Sequence, residues 1–157
     1  MPQVMKVSLS PIELELAAII GVKRQTENLF RRRQDAYGAS KEGGWSLHIE
    51  GAAGEMAVAK AFNRYWQGNL GDLRADDVDK LQVRTRSRHD YELTLHPDDP
   101  DDRGFMLVTG LAPNFCIRGW VWGREGKLPE YWRDPAGGRP AFFVPHSVLR
   151  KLKCEGV

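Results

Sequence analysis

The spacing of apolar and polar residues divides the chain into a helical first part and a β-rich second part. Ser10, Pro11 and Glu13 form the pattern of a capping box with proline at the first helical position, so we predict a helix from there to the mid-30s. Gly21 is the position at which this helix is expected to bend. The small residues of YGASKEGGW then separate it from a second predicted helix over residues 46–65.

After Gly71 the chain changes to short segments that are rich in β-forming residues and divided by turn residues. They read LQVRTR, YELTLH, FMLVTG and NFCIRGWVWG, which predicts strands in an antiparallel meander. The stretch GGRPAFFVP indicates a further strand, HSVLRKL indicates a closing helix, and residues 67–80 indicate an irregular linker.

Helices followed by strands, without regular alternation, are typical of the α+β class. We therefore predict a central, mostly antiparallel or mixed β-sheet flanked by N-terminal helices. A chain of 157 residues is expected to form one domain, with residues 1–45 as an N-terminal helical segment and residues 46–157 as the core.

Composition excludes several classes of protein. Hydrophobic residues make up 41% and charged residues 28%, as in soluble globular proteins, and no apolar run approaches the roughly 20 residues of a membrane span. The start of the sequence lacks the apolar segment of a signal peptide, so we expect a cytoplasmic protein without a membrane partner. The two cysteines form no CxxC pair and indicate neither a zinc site nor a disulfide framework.

Charge is unevenly distributed, although the net charge is only +2. Basic residues gather in RRR at 31–33 and in RTRSRH at 84–89, and a nearly neutral chain can in this way carry a basic stripe. A solvated face is the alternative for residues 31–33. Acidic residues gather in HPDDPDDRG at 96–104, where DDPDD lacks the spacing of an EF-hand loop and predicts a solvated hairpin turn.

Glu55 is an acid in an apolar part of the second predicted helix. At about 100° per residue, its neighbours on the helix surface are all apolar or glycine: Gly51, Ala52, Val58, Ala59 and Phe62. An unpaired carboxylate facing a core would cost several kcal/mol, so we expect a bound cation or a buried basic side chain beside it. The alternatives are an ordinary buried salt bridge and a helix phase that exposes Glu55.

The segment LQVRTR supplies polar companions for Glu55. Strand alternation places Gln82, Arg84 and Arg86 on one face, which then either contacts water or lines a polar site. Asp77 and Asp79 precede this strand in ADDVDK. Together these residues form an acid on a helix, an acid before a strand and a polar pair on the strand.

This constellation resembles the PD-(D/E)XK nuclease superfamily, whose restriction-endonuclease-like fold includes Holliday-junction resolvases and many phage and repair nucleases. The resemblance is carried by GE at 54–55, by Asp77 in ADDV and by QVR at 82–84, and it covers roughly residues 47–110. The longer run from QVR to GWVWG is similar to a phage or prophage member. The resemblance implies a metal-dependent endonuclease that hydrolyses DNA with Mg²⁺ or Mn²⁺, in a bacterial or phage-infected cell.

The resemblance also implies roles for individual residues. Asp77 would be the principal metal ligand, Gln82 would contribute its amide oxygen, and Glu55 would bind the metal directly or through water. Arg84 would hold phosphate where the family has lysine. Gln82 replaces a family acid and Arg84 cannot act as a base, so the motif is atypical; Asp72 and Asp79 are alternative metal ligands.

Three further sets of residues are candidates for contact with nucleic acid. Arg86 and Arg88 continue the basic stripe, and His48 lies two helical turns before Glu55, although a capping or packing histidine is the alternative. Trp120 and Trp122 are suited either to stacking on bases or to core packing. A non-catalytic nucleic-acid-binding relative and a phage accessory protein that binds a host protein remain alternative functions. The resemblance is also compatible with a homodimer, because many relatives cut two strands, although no coiled coil or other pairing signal is present.

Overall fold

The structure is a computed structural model that describes residues 4–31, 43–68, 78 and 80–152. The described part contains two long helices, α1 (Pro11–Phe30) and α2 (Gly44–Ala61). The remaining elements are β1 (Met5–Ser8), β2 (Leu81–Arg86), β3 (Leu93–Leu95), β4 (Gly104–Leu111), β5 (Asn114–Trp122), α3 (Gly123–Gly126), β6 (Trp132–Arg133), β7 (Ala141–Val144) and 3-10 turns at Pro129–Tyr131 and His146–Val148. No helix in these ranges has the length and apolar character needed to cross a membrane.

The start of α1 confirms the predicted capping box. The Ser10 hydroxyl accepts a hydrogen bond from the Glu13 amide at 3.3 Å, and the Glu13 carboxylate accepts one from the Ser10 amide at 2.7 Å. The helix ends at Phe30, earlier than the predicted mid-30s, and residues 32–42 lie outside the described ranges. A Cβ at Gly21 would lie 2.5 Å from the Ile49 Cα, so this glycine permits close contact between α1 and α2.

The strands form two sheets, and the α+β prediction with a mixed sheet is confirmed. The first sheet has the order β1-β5-β4-β2 and the second the order β3-β7-β6. The predicted antiparallel meander is wrong, because β2 pairs with β4 in parallel and β3 between them belongs to the second sheet. Alternation identifies a strand but carries little information about its partner.

The predicted closing helix in HSVLRKL is also wrong. Only a 3-10 turn over His146–Val148 forms, after which the backbone of Arg150 exchanges hydrogen bonds with Trp120 of β5 at 2.9 and 3.0 Å. A segment of this length gains little from helix formation by itself, so strand-like pairing to the sheet prevails.

The first sheet separates two hydrophobic cores. Along β4, Met106 and Val108 join the core shared with α1 and α2, whereas Phe105 and Leu107 join the core shared with the second sheet. The described fold therefore has a helical layer, a four-stranded sheet and a three-stranded sheet. The parallel register of β2 with β4 puts Val83 on the helical side and Arg84, opposite Leu107, on the other side.

Candidate functional site

Glu55 is buried between the two long helices, as its apolar neighbours predicted. The residue is 5% exposed, and both carboxylate oxygens accept hydrogen bonds from the Arg24 guanidinium, at 2.6 and 2.9 Å. Trp66 Nε1 donates a third hydrogen bond at 3.3 Å. The group that compensates the buried acid in the described structure is therefore a basic side chain, one of the two possibilities expected from the sequence.

The position of Glu55 follows from close packing of α2 on β2. A Cβ at Gly54 would lie 2.0 Å from the Thr85 hydroxyl, so only glycine allows this approach. The Thr85 hydroxyl is buried and has no hydrogen-bond partner within the described ranges, and this desolvation is a cost of the contact. With Gly54 against the strand, the next residue along α2 meets α1, where Arg24 is located.

Arg84 lies on the other side of β2 and is engaged by an acid. Its guanidinium donates to Asp99 at 2.7 Å and stacks 5.0 Å above the Phe105 ring. Asp99 also accepts from the His96 amide at 2.8 Å and is only 8% exposed. The prediction that DDPDD is solvated is therefore wrong for Asp99, because the turn folds this carboxylate onto Arg84. Burial lowers the pKa of His96, although Asp99 opposes the shift.

The predicted metal ligands are not brought together in the described part of the chain. Asp72, Asp77 and Asp79 lie outside it. Gln82 is 8% exposed and leaves β2 on the same side as Arg84, whereas Glu55 contacts α1 on the helical side. Residues 4–31, 43–68, 78 and 80–152 hold no group of three or more His, Cys, Asp or Glu suited to a metal ion.

A different constellation forms where β2 ends. The guanidiniums of Arg86 and Arg88 lie 4.7 and 5.4 Å from the centre of the Tyr91 ring, so both cations stack on one aromatic side chain. Arg86 also donates to the Glu92 carbonyl at 3.2 Å and to the Thr94 hydroxyl. The turn after β2 thus holds in place the two arginines that the sequence assigned to nucleic acid.

Arg118 of β5 extends this constellation across the sheet. The register of β2 with β4 places Thr109 beside Arg86, and the Thr109 hydroxyl lies 2.8 Å from Arg118 Nε and 2.9 Å from His89 Nδ1. Lys151 donates to the Arg118 carbonyl at 3.0 Å. We call Arg86, Arg88 and Arg118, with Tyr91 and His89, the arginine surface. Arg118 was not a predicted site residue, because a polar position in a strand is no signal of binding.

The arginine surface carries more positive than negative charge. Asp90 pairs with Arg88 at 2.9 Å, which raises the pKa of Arg88 and lowers that of Asp90. Burial lowers the pKa of Arg86, with Tyr91 and Glu92 opposing the shift. Glu92 forms its ion pair with Arg133. Arg118 has no ion pair among the described residues, where its guanidinium is bound to a neutral hydroxyl.

The remaining predicted contact residues lie elsewhere. His48 is half-buried between the helices, with Nε2 2.9 Å from the Asn28 amide nitrogen, which agrees with the packing alternative. Arg31 is exposed and pairs with Glu27 at 3.4 Å, as on a solvated face, and residues 32–33 lie outside the described ranges. The rings of Trp120 and Trp122 pack edge to face, 5.3 Å apart, and Trp120 borders the helical-side core.

Comparisons of this chain with protein-family models, with curated proteins and with solved structures give no match.

Proposed function

We propose that this protein binds nucleic acid through the arginine surface. The observation that carries the proposal is the Arg118 guanidinium, which is fixed by Thr109 and lacks an acidic partner in the described structure. It lies on the same face as Arg86 and Arg88, which are held against Tyr91. A phosphodiester backbone offers the anionic oxygens that such a set of guanidiniums binds in bidentate fashion.

The ion pairs within the arginine surface do not prevent this binding. Arg88 and Asp90 are both largely exposed, at 64% and 65%, and exposed pairs contribute only about 0–1 kcal/mol. A phosphate can therefore compete with Asp90 for Arg88. Arginine contacts to phosphate carry no base information, so the proposed binding is independent of sequence and depends steeply on salt.

Fluorescence anisotropy with labelled single-stranded DNA, duplex DNA and RNA tests this function. We expect the logarithm of affinity to fall linearly with the logarithm of salt concentration, and Arg118→Gln to reduce the slope by about 1. Arg124→Gln is the matched control, because it removes the same charge from an exposed arginine that stacks on Trp122 instead. Equal effects of the two variants, or wild-type affinity that is insensitive to salt, would contradict the proposal.

We propose metal-dependent hydrolysis of DNA as the second candidate function. The observation that favours it is the contact of Gly54 with Thr85, which holds the helix of Glu55 directly on the strand that carries Gln82 and Arg84. We base this candidate also on the resemblance of the sequence to PD-(D/E)XK nucleases. The described residues supply no metal site, so hydrolysis depends on Asp77 and its neighbours.

Incubation with supercoiled, linear and branched DNA in Mn²⁺ separates the two functions. Cleavage that disappears in EDTA and in Asp77→Ala, with DNA binding retained, would support hydrolysis. Binding without cleavage on all three substrates would contradict hydrolysis and leave the binding function standing.

A further inference from the structure

The outward face of α1 is apolar, although the opposite face of the same helix is already packed. At about 100° per residue, the face within about 60° of Ile19 carries Glu15, Lys23 and Thr26 among its apolar residues. The apolar outward residues are Ile12, Leu16, Ile19, Val22 and Phe30, with exposed fractions of 61, 49, 51, 41 and 86%. The inward face carries Ala17, Gly21 and Gln25 and packs on α2. We call the outward residues the α1 stripe.

An apolar stripe of this kind needs a partner surface. A helix at the surface of a globular protein normally presents polar residues on its outer side, and contiguous exposed apolar patches mark sites of association. Beside the stripe lies a cavity of about 520 Å³, whose walls include Leu16, Ile19 and Tyr65. Tyr65 is itself 88% exposed, so the apolar surface extends from α1 onto the segment after α2.

We infer that the α1 stripe binds a second copy of this chain, with the two α1 helices antiparallel about a two-fold axis at Ile19. A two-fold interface brings the same patch of both subunits together, so the patch must complement itself. About Ile19, the antiparallel arrangement sets Leu16 at the level of Val22 of the second copy and Ile19 opposite Ile19. Apolar residues therefore meet apolar residues at the centre of the interface, whereas Ile12 lies at the level of Thr26 of the second copy.

Charge supports the antiparallel arrangement over the parallel one. Glu15 and Lys23 lie among the stripe residues, four residues before and four residues after Ile19, and neither forms an ion pair within the described ranges. Antiparallel helices bring Glu15 to the level of Lys23 in the second copy, twice by symmetry. Parallel helices would instead bring like charges to the same level, which is unfavourable.

The size of the stripe predicts a weak dimer. A 20-residue helix is about 30 Å long and about 10 Å wide, so α1 alone offers about 300 Å² per copy, less than the roughly 800 Å² of a standard stable interface. Tyr65 and the cavity walls enlarge this area. The arginine surface and α1 lie on opposite sides of the first sheet, so the arginine surface of each copy stays accessible to nucleic acid in the dimer. The inference of a dimer does not rest on the proposed function.

Sedimentation velocity of the full chain tests the dimer. From about 1 to about 200 µM, we expect a concentration-dependent shift from monomer to dimer, as for a micromolar Kd. Ile19→Arg should remain monomeric throughout with an unchanged melting temperature. Leu47→Arg is the matched control, since Leu47 is 55% exposed on α2 outside the stripe, and it should dimerise like the wild type.

Charge exchange tests the orientation. Glu15→Lys and Lys23→Glu should each weaken the dimer about tenfold, and the double variant should restore it. Failure of the double variant to restore the dimer would overturn the antiparallel arrangement. A wild type that stays monomeric at about 200 µM would overturn the dimer. If Ile19→Arg also lowers the melting temperature of this monomer, the stripe is covered by the chain's own residues and not by a second copy.

Discussion

Two regions of this molecule use arginine in opposite ways. On the helical side, Arg24 and Glu55 satisfy each other with two hydrogen bonds at 2.6 and 2.9 Å, and both are largely shielded from water. On β5, beside the ends of β2 and β4, Arg118 is held by the neutral Thr109 hydroxyl and has no ion pair within the described ranges. An arginine that is paired with an acid of the same chain stabilises the fold. An arginine that is held in position by a neutral group can bind an anionic ligand.

Removing one half of the compensated pair should have the largest effect on stability. Glu55→Gln removes the carboxylate that accepts two hydrogen bonds from the largely buried Arg24 guanidinium, and we expect a loss of about 3–5 kcal/mol in the free energy of unfolding, measured by urea denaturation. Glu15→Gln, at an exposed acid without an ion pair in the described ranges, should change stability by less than about 0.5 kcal/mol. A Glu55→Gln protein of normal stability would show that Arg24 does not depend on Glu55.

The next largest effect concerns the contact that places Glu55. Gly54→Ala introduces a methyl group 2.0 Å from the Thr85 hydroxyl, and overpacking of this kind costs about 1–3 kcal/mol. Gly51→Ala in the same helix meets nothing within 4 Å and should stabilise by about 0.5–1 kcal/mol. Thr85→Ala added to Gly54→Ala should recover much of the loss. Thermal unfolding of the four proteins decides whether this contact is as close as described.

On the uncompensated side, Tyr91→Leu should weaken nucleic-acid binding without a large loss of stability. The ring holds Arg86 and Arg88 in place and is 37% exposed, so its loss frees both guanidiniums at a cost of about 1 kcal/mol in binding, roughly fivefold. Tyr65→Leu removes an exposed tyrosine from the other side of the molecule and should bind normally in the same anisotropy assay. Equal affinities for both variants would remove Tyr91 from the proposed site.

The smallest effect tests a pair that lies between the two extremes. Arg150 donates to Glu125 and lowers the pKa of the Glu125 carboxyl from 4.5 to about 2. The stabilisation of the fold by this ion pair is therefore present above pH 4.5 and is lost as the pH falls through about 2. The Glu125 side chain is 35% exposed, which limits this contribution to about 1 kcal/mol or less. Glu125→Gln should therefore be less stable than the wild type at pH 7 by that amount, and the difference should shrink as the pH falls through about 2. A difference that stays unchanged from pH 7 down to pH 2 would have another origin.

Local features of the fold were readable from the sequence, and long-range pairings were not. The capping box of α1 and the burial of Glu55 depend on residues within a few positions, which the helical period relates directly. Arg24 lies 31 residues before Glu55, and only the register of α1 against α2 brings them together. Arg118 was missed for the same reason, since its neighbour Arg86 belongs to a strand two positions away in the sheet.

The parallel pairing of β2 with β4 has a consequence for how the chain can be divided. The connection between β2 and β4 contains β3, which pairs with β7 of the second sheet. The crossover of the first sheet therefore supplies a strand to the second sheet. We expect neither sheet to fold as an autonomous fragment, since removing β7 takes the pairing partner from β3, which lies in the connection between β2 and β4. Fragments cut within residues 87–103 are expected to regain structure only when both pieces are present, as in a complementation assay.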